Sequence, residues 1–104
     1  MTDRYGIELT RRAEKDLDSF RQDRDRVVHE IQTLRANPLA GHALNGTLRG
    51  ARALEFNLKG GGAYRAVYTI VDNERLCIIF MVGSHENIYR IAERRYAALL
   101  KGMT

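Results

Sequence analysis

Residues 54–82 decide the fold: Leu54-Glu55-Phe56-Asn57-Leu58-Lys59-Gly60-Gly61-Gly62-Ala63-Tyr64-Arg65-Ala66-Val67-Tyr68-Thr69-Ile70-Val71-Asp72-Asn73-Glu74-Arg75-Leu76-Cys77-Ile78-Ile79-Phe80-Met81-Val82. Leu54, Phe56 and Leu58 alternate with Glu55 and Asn57, the period-two pattern of a half-buried strand. Lys59-Gly60-Gly61-Gly62 reads as a hairpin turn. Ala63 to Val71, rich in Tyr, Val, Thr and Ile, reads as the second strand. Asp72-Asn73-Glu74 is another turn. Leu76 to Val82 is apolar throughout, so both its faces are expected to be covered and it is placed centrally in the sheet, ending at Gly83-Ser84.

Working upstream, residues 37–50 contain Pro38, Gly41, Gly46 and Gly50 and read as a loop with room for one short turn. Before it, Val27, Val28, Ile31 and Leu34 form an apolar helical stripe that Asn37-Pro38 terminates, because a residue preceding proline avoids helical geometry. Gln22 to Arg26 is a charged break. Ala13, Leu17 and Phe20 mark an earlier helix with Thr10 as its N-cap. The two helices are expected to form an antiparallel hairpin. Tyr5, Ile7 and Leu9 alternate in a short first strand. Downstream, Ile88, Ile91, Ala92, Tyr96, Leu99 and Leu100 put an apolar face on a C-terminal helix over 86–100. The expected class is α+β: a single domain over 1–104, ordered β-α-α-β-β-β-α, with an N-terminal helical hairpin and a C-terminal helix on an antiparallel sheet.

Composition fits this reading. At 104 residues, 44% hydrophobic and 29% charged, the chain supports one core. No apolar run approaches the roughly 20 residues of a membrane helix. The sole cysteine, Cys77, lies within the most apolar segment, which fits a reducing cytoplasm and leaves nothing for a disulfide or a metal cluster. Net charge is +4, and its distribution is uneven. Residues 1–36 carry eight Lys/Arg against eight Asp/Glu, whereas residues 37–104 carry nine against five. A basic second half suits a polyanion such as RNA or DNA.

The candidates for chemistry gather in that half. Arg65 lies between Tyr64 and Ala66, so it points away from Tyr64, Ala66 and Tyr68 and shares a face with Val67. Arginine suits bidentate contact with a phosphate, although a lone strand arginine is commonly a surface charge. His85 follows the apolar strand at a strand-to-helix junction, with Glu86 beside it and Tyr89 one helical turn on. Histidine titrates near neutrality and serves as proton donor or acceptor. The ordinary alternative is a solvated His85 next to a Ser84 helix cap, with Tyr89 in the core. Arg49, Arg52 and Lys59 extend the basic surface, with loop-end charges as their ordinary reading. His29 and His42 read as surface residues. The glycines after Lys59 lie between strands, not before a helix, so they form no helix-terminus phosphate cradle.

Several of these pieces together resemble the RelE/ParE superfamily of bacterial toxins: Asn37-Pro38, Leu44-Asn45-Gly46, Tyr64-Arg65-Ala66-Val67-Tyr68, and Val82-Gly83-Ser84-His85-Glu86 with Tyr89. The resemblance covers nearly the whole chain. It implies a toxin held inactive by a cognate antitoxin, acting in the cytoplasm with no metal and no small-molecule cofactor. RelE-like members cut mRNA in the ribosome, and ParE-like members poison DNA gyrase. On the RelE-like side it implies Arg65, His85, Tyr89 and Glu86 as catalytic candidates, with Arg49, Arg52 and Lys59 holding RNA. The sequence departs from the lysine-based version of that site. Glu55 and Asn57 stand where it has two lysines, and His85 stands where it has a second arginine. A gyrase inhibitor, or a member acting only as a binding protein, is the alternative.

Overall fold

A computed structural model describes residues 4–84 and 88–102. The regular elements are β1 (Gly6–Leu9), α1 (Arg11–Asp18), α2 (Arg24–Gln32), β2 (His42–Ala43), β3 (Ala51–Asn57), β4 (Ala63–Val71), β5 (Leu76–Ser84) and α3 (Ile88–Gly102). The strands form one sheet in the order β1-β5-β4-β3-β2. The α+β class, the helical hairpin, the meander and the C-terminal helix are as the sequence predicts.

Two details differ from expectation. The sheet is mixed, not wholly antiparallel, because β1 runs parallel to β5, with Gly6 opposite Leu76 and Leu9 opposite Ile79. The helical hairpin carries the chain to the far edge, and three antiparallel steps return β5 beside β1 in the same direction. The second difference is a fifth strand, β2, within the 37–50 loop. At two residues it is too short to show alternation. Its approach depends on Gly41, where a Cβ would lie 2.7 Å from the Ala53 carbonyl oxygen and 2.8 Å from the Tyr68 hydroxyl. That hydroxyl donates to the Pro38 carbonyl at 2.6 Å and accepts from the Gly41 N–H at 3.0 Å. Burial raises the Tyr68 pKa above its ordinary value.

Local signals explain the helix boundaries. The Thr10 hydroxyl accepts from the Ala13 N–H at 3.1 Å and caps α1. The charged break before α2 is shorter than expected. Arg21–Asp23 forms a 3-10 turn and α2 starts directly at Arg24. After α2, a 3-10 turn over Thr33–Arg35 buries Leu34, and the helical path stops ahead of Asn37-Pro38.

The two sheet faces carry separate cores. Leu54, Phe56, Ala66, Tyr68, Cys77 and Ile79 pack under α1 and α2 through Ala13, Leu17, Val27 and Ile31. Ala51, Val67, Phe80 and Met81 pack under α3 through Ile88, Ala92 and Tyr96. Covering both faces explains the uninterrupted apolar run of β5. A β-bulge lets consecutive residues share one face: Tyr68 pairs with Ile79 while Val67 pairs with Met81, which leaves Phe80 as the extra residue.

Beyond Ile79, no strand among the described residues lies beside β5 on the β1 side. An ion pair caps that edge instead. Asp16 accepts from the Val82 N–H at 3.0 Å, and Arg95 donates to the Phe80 carbonyl at 3.0 Å. The two side chains bind each other through Nη1–Oδ2 at 2.6 Å and Nη2–Oδ1 at 3.3 Å. One bidentate contact therefore ties α1, β5 and α3 together and satisfies backbone groups that a strand would otherwise pair.

Candidate active site

The β3–β4 hairpin sets the position of Arg65. Gly60, Gly61 and Gly62 all adopt positive φ, at 104°, 114° and 86°, which only glycine takes without strain. The register they fix places Glu55 directly opposite Arg65. Directly paired residues share a face, so both point to the α3 side, away from Tyr64, Ala66 and Tyr68. Arg65 Nη2 donates to Glu55 Oε2 at 2.7 Å. The Arg65 side chain is 13% exposed and that of Glu55 is 50% exposed, so the carboxylate is open to a ligand while the guanidinium is held from beneath.

On its other side Arg65 pairs with Gly83. The bulge at Phe80 decides this. An unbroken register from Tyr68–Ile79 would put Val82 there. Gly83 presents no side chain, and Ile88 fills the adjacent space: a Cβ on Gly83 would lie 3.3 Å from the Met81 methyl and 3.9 Å from Ile88 Cδ1. One residue after Ile88, Tyr89 brings its ring to the arginine, with the guanidinium carbon 5.4 Å from the ring centroid. That geometry is a cation–π contact, which orients a guanidinium without consuming its hydrogen-bonding edge.

The structure thus brings together two of the candidates named from the sequence, Arg65 and Tyr89, and adds Glu55. Lys59 and Arg49 are exposed, the first at the hairpin turn and the second just before β3. Arg52 does not join the cluster. It pairs with Tyr68 across the sheet and therefore faces the opposite side. Its guanidinium binds the Gly41 carbonyl at 2.9 Å and the Leu39 carbonyl at 3.3 Å, a structural duty toward the 38–41 loop. His85 and Glu86 lie outside the described residues.

Beside Tyr89 a cleft of about 370 Å³ opens between α3 and the segment from β2 to the 3-10 turn at Gly46–Leu48. A larger cleft of about 530 Å³ lies away from Arg65, where the start of α1 meets α3, lined by Thr10, Arg11, Arg12, Phe80, Arg94 and Arg95. Among the described residues no three His, Cys, Asp or Glu side chains gather to hold a metal ion. None of the described helices is long and apolar enough to cross a membrane.

Sequence reasoning missed the Glu55–Arg65 pairing because a one-residue slip in hairpin register reverses every side chain. The triple glycine was the usable signal, since a turn confined to residues 58–62 permits few registers. No local signal marks Asp16 and Arg95, which lie 79 positions apart.

Comparison with known proteins bears on the family and the fold. Among curated proteins none matches by sequence. Among solved structures, a chain of the Mycobacterium tuberculosis RelBE2 toxin–antitoxin complex is 26% identical with a TM-score of 0.65, covering 79% of this chain and 99% of its own. A free mutant form of the Escherichia coli toxin RelE shares the fold at 20% identity and TM-score 0.65, over 97% of this chain and 99% of its own. A chain of the archaeal RelE–RelB complex from Pyrococcus horikoshii does so at 16% identity and TM-score 0.55, over 84% of this chain and 99% of its own. Residues 7–92 match the family described as ParE-like toxin of type II bacterial toxin-antitoxin system. With most of its length inside that match, the chain belongs to the ParE-like toxins, within the RelE/ParE superfamily of type II toxins.

Proposed function

We propose that this toxin is an endoribonuclease that cuts mRNA on the ribosome, with Arg65 at the scissile phosphate. The observation that carries the reading is the pairing of Arg65 with Glu55 on an open stretch of sheet, at 2.7 Å and backed by Tyr89. A cation for phosphoryl oxygens and a carboxylate within one hydrogen bond of it are two of the three groups that RNA transesterification requires.

In this mechanism the 2′-hydroxyl oxygen attacks the adjacent phosphorus and its proton passes to Glu55. Arg65 stabilises the charge that accumulates on the non-bridging oxygens. The bond from phosphorus to the 5′-oxygen breaks, and His85, which follows Ser84 at the end of β5, protonates the leaving oxygen. The products are a 2′,3′-cyclic phosphate and a 5′-hydroxyl. Tyr89 orients Arg65, and its ring offers a surface on which a base can stack. Arg49 and Lys59 are exposed cations for the flanking backbone. Glu55 carries the proton in place of the lysines used elsewhere in the superfamily. Glu86 assists His85 from the next position in the chain.

The antitoxin is the natural inhibitor of such a site. Structures that share this fold, the Mycobacterium tuberculosis RelBE2 and the archaeal RelE–RelB complexes, are toxin–antitoxin complexes. A second reading rests on the ParE-like family match: the chain poisons DNA gyrase without cutting RNA, and Glu55–Arg65 is then a plain cross-strand ion pair. Induced expression with pulse labelling separates the two. The nuclease reading requires protein synthesis to stop while DNA synthesis continues, and requires Arg65→Ala to relieve the arrest. DNA synthesis stopping first would favour the gyrase reading instead.

A further inference from the structure

The larger cleft, about 530 Å³, takes no part in the proposed mechanism, and its size falls in the range of small-ligand sites. The start of α1 forms one wall and the second half of α3 the other. Phe80 closes the floor: it is 1% exposed, and its ring stacks on Tyr96 with the centroids 5.3 Å apart. Leu99 is half-buried and Ala98 exposed, so the apolar surface continues up the α3 wall to solvent. Arg94 and Ala98, like Arg95 and Leu99, are four residues apart, which sets cations and apolar groups side by side on one helix face. Arg11 and Arg12 stand on the α1 wall, both exposed. Asp16 neutralises Arg95. Among the described residues no carboxylate forms an ion pair with Arg11, Arg12 or Arg94. Arg11 and Arg12 also occupy the first turn of α1, where the helix end is itself positive and Glu14 is the acidic residue. Cations gathered over an apolar floor, two of them set against their own helix end, break the local pattern with no compensating contact among the described residues.

We infer that this cleft binds an amphipathic organic anion, with a hydrocarbon body against Phe80, Ala98 and Leu99 and a phosphate or carboxylate head among Arg11, Arg12 and Arg94. Guanidinium groups meet both kinds of oxyanion in bidentate fashion, and several together suit a doubly charged head. The choice of a hydrocarbon body follows from the polar groups of the lining. A nucleobase carries N–H groups that need acceptors once they leave water. The polar side chains of the lining are arginines, which only donate, and Thr10, whose hydroxyl already accepts from the Ala13 N–H. The Phe80 carbonyl is already held by Arg95. An alkyl or prenyl chain leaves no donor unpaired against these walls. The inference stands apart from Arg65 and from the nuclease reading.

Titration of the full chain with octyl phosphate below its micelle concentration, followed by NMR, tests this. Two partial ligands are titrated beside it: octyl glucoside, which has the chain without the charge, and inorganic phosphate, which has the charge without the chain. Saturable shifts are expected at the Ala98 and Leu99 methyls with octyl phosphate. It should bind at least about tenfold more tightly than either partial ligand, the scale of one charge-assisted contact. Arg12→Gln and Arg94→Gln, both at exposed positions, should each weaken octyl phosphate by about tenfold and leave octyl glucoside within about twofold of the parent. No saturable shift at Ala98 and Leu99, equal binding of octyl phosphate and octyl glucoside, or an affinity that both substitutions leave unchanged would overturn the inference. Flotation with phosphatidylglycerol and with phosphatidylcholine vesicles then identifies the source of the head group. Retention on the anionic vesicles that octyl phosphate displaces assigns a lipid, and no retention assigns a soluble amphiphile. Arg12 and Arg94 have no place in the proposed cleavage, so RNA cleavage by the same variants should match the parent, and either reading can fail alone.

Discussion

Strands β3, β4 and β5 present one set of side chains to α1 and α2 and the alternate set to α3, and the two sets have different fates. On the α1–α2 side, Leu54, Phe56, Ala66 and Tyr68 are all buried. Even the Tyr68 hydroxyl is engaged at both its donor and acceptor sides. On the α3 side, Ala51 and Val67 are buried near Tyr96, but further along the same strands the positions are Glu55, Asn57 and Arg65. There α3 begins at Ile88, and Tyr89 sets its ring against Arg65. The closed face supplies stability and fixes the register. The open end of the other face can then present a charged pair at a set distance, because rigid elements beneath it hold its backbone. Polarity at Glu55 and Arg65 is a departure from the core pattern of their neighbours, and the proposed function gives that departure a role.

Substitutions on the two faces should separate activity from stability. The largest effect is expected from Arg65→Ala: RNA cleavage should fall roughly 100- to 1,000-fold, the scale for losing one transition-state charge donor, while thermal stability changes little because Glu55 is half-exposed. A loss of stability matching the loss of activity would make Arg65 a structural residue. Next comes Arg95→Ala. Both partners of this pair are less than one-fifth exposed, so taking the cation away from the Asp16 carboxylate, which is left with the Val82 N–H, and from the Phe80 carbonyl should cost about 2–4 kcal/mol in urea unfolding. Activity per folded molecule should remain.

Cys77 gives a pH-dependent version of the same contrast. Burial raises its thiol from 9.0 to about 11. The folded state therefore holds the proton more tightly than the unfolded state. Stability from this source is complete below about pH 9 and is lost as pH rises through about 11, by up to about 3 kcal/mol. Tyr68, also shifted upward by burial, acts in the same direction. Urea midpoints measured from pH 8 to 11 should fall less steeply in Cys77→Ala than in the parent. An identical slope in both would remove Cys77 from the account. The smallest effect belongs to Tyr68→Phe, which leaves the Gly41 N–H and the Pro38 carbonyl without this partner. About 1–2 kcal/mol is expected, with cleavage by the folded protein intact.

The amount of this that was legible in the sequence follows from the range of each interaction. Period-two alternation located β3 and β4, and Thr10 and Asn37-Pro38 bounded the helical hairpin, because these signals act over a few residues. The parallel β1–β5 pair and the two-residue β2 depend on where distant segments meet, and no local pattern encodes that. Alternation alone placed Arg65 on the face opposite Tyr68. It left the facing of Glu55 open, since that rests on the register fixed by Gly60–Gly62. Arg52 reads as a cation beside a basic strand, and only the folded loop shows its guanidinium bound to the Gly41 and Leu39 carbonyls. The bulge at Phe80 has no sequence mark, yet it sets Gly83 against Arg65.

The central claim is that Arg65 and Glu55 act together on an RNA phosphate. The most direct test incubates purified toxin with mRNA on programmed ribosomes and maps the 3′ ends, comparing the parent with Glu55→Gln, which keeps the shape and removes the proton acceptor. Cuts ending in 2′,3′-cyclic phosphate, slowed at least tenfold by Glu55→Gln, are the predicted result. Intact mRNA with the parent protein, or equal cleavage by parent and variant, would contradict it.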